Sequence, residues 1–261
     1  MSVKLAKPPV YYALAQVKFN PVALMPKFAG EIQDRLRRSG FPIFESEQSQ
    51  SIDFGDLSQI HETKPTITET PNWFFTSEDK FSGYVLGNDF FTFQVTKYTG
   101  HHDFFERFMI GLSLLNEIVS IGAFSRLGIR YLNAVVPDHD ESLNQYLHQQ
   151  VQGVEFGSPW IGGAWESGYK TNLGILVAKI YKTNKSLIGF PVDVQPRSVI
   201  LDKRFVLSEP KEHAVIDIDH FIQESISYSP GALRERLNGL HSPVEKCFKA
   251  IVTEHAITRW H

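Results

Sequence analysis

From Val10 to Asn20 the chain alternates with a period of two, setting Tyr11, Ala13, Ala15, Val17 and Phe19 on one face and Val10, Tyr12, Leu14, Gln16 and Lys18 on the other. This predicts a strand entered through Pro8-Pro9. The spacing then changes to four: Phe28, Ile32 and Leu36 predict a helix opened at Pro26 and closed by Gly40. Arg35, Arg37 and Arg38 fall in its last turns, where positive charge suits the helix dipole. Aromatic-rich strands are expected around Ile43–Phe54 and Asn72–Ser77. A hairpin follows in GYVLGNDFFTFQVTKY, turning at Gly87-Asn88-Asp89. Phe104, Phe105, Phe108, Met109, Leu112, Leu115, Ile118 and Val119 keep the helical repeat and predict a long helix across the sheet, ended at Gly122. Leu127, Ile129 and Tyr131 alternate through another strand that stops at Pro137, and PDHDES caps a short helix in LNQYLHQQV.

Gly153 to Gly168 holds five glycines, two tryptophans and a proline, and is expected to be a long loop suited to covering a ligand or meeting a partner. Beyond it, TNLGILVAKIY, a turn at Lys182–Lys185 and LIGFPVDVQ are expected to form a hairpin, with HAVIDIDHFI as a third strand. Two helix starts follow, at Ser229-Pro230 and at Ser242-Pro243-Val244-Glu245, the second shaped as a capping box. Three strands followed by a long helix therefore occur twice, introduced by Lys97-Tyr98-Thr99-Gly100 and by Ser227-Tyr228-Ser229-Pro230. The expected class is α+β: a mostly antiparallel sheet with long helices packed on one face, read as two diverged meander-plus-helix lobes even though residue identity between the halves is poor. The divisions are residues 1–150, a Gly/Trp-rich loop at 151–168, and 169–261, forming one compact unit.

At 261 residues, 42% hydrophobic and 21% charged, the chain can bury a core without disulfides or metal staples. The formal charge of -3 disfavours a general nucleic-acid or anionic-membrane binder. The single Cys247 permits no internal disulfide and suits a reducing compartment, so a cytoplasmic location is expected. No apolar run reaches the roughly 20 residues a spanning helix requires, and neither a signal peptide nor a membrane association is expected. Aromatic residues make up 13% of the chain, so packing leans on rings.

Pro8-Pro9-Val10 with Ala13, Val17 and Phe19, the strand Arg126 to Asn133, the segment Ala214 to Asp219, and Leu240-His241 with Phe248 and Thr253 together resemble a sporadically distributed family of prokaryotic proteins of uncharacterised function. The resemblance spans nearly the whole chain but rests on framework positions, so it carries over no catalytic residue. A patchy distribution implies mobile or defence-associated gene clusters and work alongside a neighbouring gene product.

Chemistry is sparse. His213, Val215, Asp217, Asp219 and Phe221 share one face of a strand, and Asp217 with Asp219 and His213 makes a weak candidate for a divalent cation. The plainer expectation is that these carboxylates hydrate the outer face while Ile216 and Ile218 fill the core. His101, His102 and Asp103 are expected to open the long helix, because adjacent imidazoles on a helix point about 100° apart and chelate poorly. Asp138 to Glu141 are read as turn and cap. No nucleophile elbow or phosphate-binding glycine loop occurs, and Cys247 is expected to pack. Arg35, Arg37, Arg38, Lys179, Lys182, Lys185, Arg197, Lys203 and Arg204 are the best basic features, yet nucleic-acid contact is not favoured. Trp160, Ile161 and Trp165 are candidates for a binding surface, set against the plainer reading that the rings tuck onto the core.

The leading expectation is thus a non-enzymatic accessory protein, without cofactor, acting through a protein partner or a homo-oligomer. The alternatives are an α+β cup that binds a small molecule in an aromatic-lined cavity, and a metal-dependent hydrolase or nuclease using Asp217 and Asp219.

Overall fold

Two strands that lie far apart in sequence, β1 (Val10–Phe19) and β6 (Ala123–Val135), pair antiparallel at the middle of the sheet. The computed structural model describes residues 5–53, 66–154 and 156–261. Beside β1 run β5 (Phe90–Val95), β4 (Ser82–Leu86), β3 (Thr66–Thr76) and β2 (Ile43–Asp53). Beside β6 run β9 (His213–Ile222), β8 (Ile175–Thr183) and β7 (Gly162–Lys170), with the two-residue β10 (Ile226–Ser227) also paired to β6. The pairings are antiparallel throughout, which with the helices gives an α+β protein built on one large antiparallel sheet.

The helices are α1 (Met25–Arg38), α2 (His101–Val119), the single turn α3 (Leu143–Tyr146), α4 (Pro230–Ile251) and α5 (Glu254–Trp260). In α1, Met25, Ala29, Ile32 and Leu36 are buried at helical spacing, and its three arginines are held by Glu117 (from Arg35) and by Asp34 (from Arg37 and Arg38). The long aromatic helix lies where its periodicity placed it, with Phe104, Phe105, Phe108, Met109, Leu112 and Leu115 buried. It ends slightly before Gly122, at Ser120, which takes the left-handed conformation (φ 55°). Gly111 sets how closely this helix meets the sheet: a Cβ there would stand 2.3 Å from the Tyr84 ring. The Tyr84 hydroxyl reaches past it to donate 2.5 Å to the Arg107 carbonyl. α1 touches α2, α2 touches α4, and their apolar residues share one core with Ala13, Ala15 and Val17 of β1, Leu127, Ile129 and Tyr131 of β6, and Ile216 and Ile218 of β9.

Three sequence expectations are corrected. The partner of β8 is not LIGFPVDVQ but Gly162–Lys170, so the second half of the expected Gly/Trp-rich loop is the edge strand β7, turned into β8 through Thr171 to Gly174. The misreading has a physical cause: β7 lies exposed along most of its length, so no core demands alternation from it, while LIGFPVDVQ is apolar because it covers the sheet as a loop. Second, α4 runs through Pro243 without a break. The Ser242 capping box is therefore helix interior, and the next helix starts at Thr253, whose side chain accepts from the Ala256 N–H. Third, LNQYLHQQV is only a turn of helix and a short 3-10 turn (Gln149–Val151) around a β-bridge from Leu147 to Val252. Of the strand expected to end at Phe54, that last residue lies outside the described residues.

A second, smaller core contains Tyr11, Tyr12, Leu132, Ala134, Val194, Phe205 and Val215. Two consecutive tyrosines join it because the β1–β6 register is irregular between Val10 and Tyr12, suspending the strict alternation. The segment from Gly189 to Ile200 is fastened over it: Tyr11 donates to the Gly189 carbonyl (2.6 Å), the Gln94 amide to Arg197 (2.9 Å) and Thr96 to Ile200 (2.6 Å).

Candidate functional site

Alternation along β6 sends Arg130 and Leu132 to one face and Tyr131 and Asn133 to the other. Tyr131 and Asn133, with Ile218 paired opposite Tyr131, floor a cavity of about 1040 Å³. Its walls are the start of α2 (Gly100 to Asp103), Tyr98 just before it, Val244 and Phe248 of α4, Ile257 of α5, and Pro8, Pro9 and Val10 at the entry to β1. On the side lined by His148 and Thr253, the His148 N–H donates to the Ile251 carbonyl and the Thr253 N–H to Tyr146, both at 2.9 Å.

Imidazoles and phenols gather at one end. His241 of α4 stacks on His101 (centroids 4.1 Å, planes 20° apart), and both Phe105 and Tyr131 meet His241 edge-on. Burial, reinforced by the neighbouring His101, pushes the His241 pKa down to about 4, and burial likewise lowers that of His101. Both rings are therefore neutral at pH 7. Stacked rings cannot aim their in-plane lone pairs at one ion, and among the described residues no group of three or more His, Cys, Asp or Glu side chains is arranged to hold a metal. Tyr131 is 4% exposed, and its hydroxyl is buried beside that of Tyr98. The Tyr98 hydroxyl interacts with it, and burial with this neighbour holds the Tyr131 pKa well above its ordinary value. Glu245, which faces the imidazoles from α4, is ion-paired to Lys249 at 2.6 Å.

On the other face the expected metal candidates occupy an ion-pair ladder. Asp217 is 1% exposed and takes two bonds from Arg130, at 2.7 Å from Nε and 2.6 Å from Nη2. Arg130 also reaches Asp193 (2.6 Å), while Arg126 pairs with Asp219 (3.1 Å) and stacks on Phe221. Lys179, opposite Asp217 in the register, bonds Glu166 across β7 (3.1 Å). Burial raises the pKa of both Asp217 and Asp219, an effect the arginines partly offset. His213 is buried, with Nδ1 2.9 Å from the Lys211 carbonyl oxygen. A cation approaching Asp217 and Asp219 would have to displace both guanidinium groups.

Trp165, Trp160 and Ile161 part company. Trp165, on β7, packs against the main core, whereas Trp160 (37% exposed) lies beneath the Lys182 ammonium and Ile161 is 73% exposed. Val154 and Phe156 are exposed in the same stretch. The expected basic features are largely paired: besides the α1 arginines, Arg197 meets Glu47 and Arg204 meets Asp202. Cys247 is half-buried, its thiol pushed up to about 11 by burial.

Sequence reasoning offers an aromatic-lined cavity as an alternative but does not place the residues that form this one. His101 had been read as a helix opener and His241 as framework, and no local signal marks two residues that become neighbours only when α4 folds over α2. The buried ladder had one legible half, the period-two carboxylates, but its arginine partners depend on strand register.

The fold and cavity define an α+β, antiparallel-sheet protein with a ligand-sized site. Comparison with protein-family models, with curated proteins and with solved structures found no match to this chain. Among the described residues no helix is long and apolar enough to cross a membrane.

Proposed function

We propose that this protein binds a small molecule in the cavity between α2, α4 and the Tyr131–Ile218 floor. The observation that carries the reading is the combination of volume and lining: about 1040 Å³, at the upper end of the usual size for ligand sites, with mainly apolar surface from residues such as Val244, Phe248 and Ile257, and with polar groups, His101, His241, Asn133 and Glu254 among them, set around it. Ligand binding to the folded state raises the unfolding midpoint, so a thermal-shift screen should find compounds that stabilise the wild type but not His241→Trp, whose indole fills the imidazole end. A screen without a stabilising compound, or one whose hits stabilise both proteins equally, overturns the reading.

A second reading, an accessory protein that works through a partner, draws support from Val154, Phe156 and Ile161, exposed just before an edge strand, β7, which among the described residues has no neighbour on its outer side. The resemblance to a sporadically distributed prokaryotic family belongs with this reading, as do a cytoplasmic location and a neighbouring gene product as partner. Co-purification from the native host tests it, and Phe156→Asp with Ile161→Asp should abolish the association. The strand order, centred on β1 and β6, is read here as two diverged halves, each ending in a long helix, α2 and α4.

A further inference from the structure

We infer that the cavity takes an uncharged, mainly apolar molecule that carries one hydroxyl or amide N–H and donates it to the Asn133 side chain. This rests on the small-molecule reading and specifies the chemistry of the ligand.

The cavity lining divides by depth. Val10, Tyr131, Asn133, Ile218, Val244 and Val252 are each at most 9% exposed and form its buried part. The charged side chains stand at the rim: Asp103, Lys249 and Glu254 are exposed, and Glu245, partly exposed, is paired with Lys249 at 2.6 Å. His101 and His241 are neutral at pH 7. A ligand that brought a charge into the buried part would find no charged side chain there to balance it, and an unpaired charge taken out of water is strongly unfavourable.

Asn133 is the polar side chain of that buried part with an atom left to bond. Its amide nitrogen donates to the Ile216 carbonyl (3.3 Å), which settles that the nitrogen faces β9. The amide oxygen takes no bond among the described residues, yet it is not sealed from all surface in the way the unpaired oxygens of Thr76 and Asn116 are. Since Asn133 is 4% exposed and lines the cavity, the surface its oxygen keeps faces the cavity. The Tyr131 hydroxyl, the other polar group of the floor, is taken up by Tyr98. A buried acceptor left empty is unfavourable, and an O–H or N–H on the ligand fills it. An ammonium group could donate in the same way but would carry the unbalanced charge with it.

The test uses the full chain and the neutral apolar dye N-phenyl-1-naphthylamine, whose fluorescence reports entry to the cavity. Octan-1-ol, its isomer heptyl methyl ether, octanoate and octylamine then compete for it at neutral pH. Water holds the alcohol more tightly than the ether, so without a partner in the cavity the ether is the better competitor. With Asn133 accepting its proton, octanol should displace the dye at about one-fifth the concentration the ether needs, and each charged competitor should need about ten-fold more than octanol. Asn133→Leu keeps the size of the side chain and deletes the amide, so octanol should fall to the level of the ether or below it while the affinity of the ether stays unchanged. Should that variant not fold, the alcohol–ether comparison on the wild type decides. An ether that competes as well as octanol, or an octanol advantage that survives Asn133→Leu, overturns the Asn133 assignment. Octanoate or octylamine competing as well as octanol overturns the uncharged class. Either result leaves the small-molecule reading in place, whereas failure of the dye to enter, with no competitor raising the melting midpoint, overturns both.

Discussion

Replacing Asp217 with Asn probes the ladder beneath the sheet. The carboxylate is 1% exposed and forks onto a guanidinium that is itself only 10% exposed, so the pair is shielded from solvent. An amide has one acceptor oxygen, so at most one arginine bond survives, and Arg130 keeps its charge with only the exposed Asp193 to balance it. Breaking a buried pair from one side costs about 3–5 kcal/mol, and the residual contacts place this case near the lower limit, about 3 kcal/mol. For a chain of this size that lowers the melting midpoint by about 6 °C. Asp219→Asn is the internal control: its ion pair is longer (3.1 Å) and each partner is about one-fifth exposed, so the loss should stay under about 1 kcal/mol. Urea unfolding of the two variants alongside wild type reads both numbers. If Asp217→Asn is as stable as wild type or more so, the reasoning fails, and the opposite view gains: carboxylates held together to bind a cation repel one another, and neutralising one relieves the strain.

Three further outcomes follow from the geometry. The pKa of His241 is about 4 in the folded state against an ordinary 6.5, so protonation favours the unfolded chain. Its contribution is complete above pH 6.5 and is lost as pH falls toward 4, amounting to about 3 kcal/mol at most. His241→Gln should flatten that part of the stability–pH curve measured by urea midpoints between pH 7 and pH 4.5, and an unchanged slope refutes the assignment. Gly111→Ala should cost about 1–2 kcal/mol, because pushing the Tyr84 ring aside outweighs the gain in helix propensity; a stabilised variant in thermal unfolding would show that the contact yields freely. Trp165→Ala should lose about 2 kcal/mol while Trp160→Ala changes stability by less than about 1 kcal/mol, and equal losses would contradict the different packing of the two rings.

The elements legible in the sequence are those whose own burial imposes a period. α2 displays its buried stripe from Phe104 to Leu115, about three turns, and β9 alternates Ile216 and Ile218 in the main core against Asp217 and Asp219 on the opposite face. β7 was not legible, since an edge strand exposed along most of its length is under little such constraint. α4 was divided in two because Ser242-Pro243 has the local form of a helix start, yet packing of Leu233, Leu237, Leu240, Val244 and Ile251 along a single stripe keeps the helix continuous through the proline. Of the candidate residues, the sequence singled out the carboxylates but not their guanidinium partners, and the histidines but not their meeting.

By itself the sequence determined the α+β class, the antiparallel strands with strong alternation, the extent of the long aromatic helix and the want of familiar catalytic motifs, all of which follow from periodicity and composition within a short window. The tertiary structure alone decided that His101 meets His241, that the Tyr131 hydroxyl is buried against Tyr98, and that Asp217 faces Arg130. Those are matters of register and of helices crossing one another, set by the summed packing of residues far apart in the chain, and no local pattern records them.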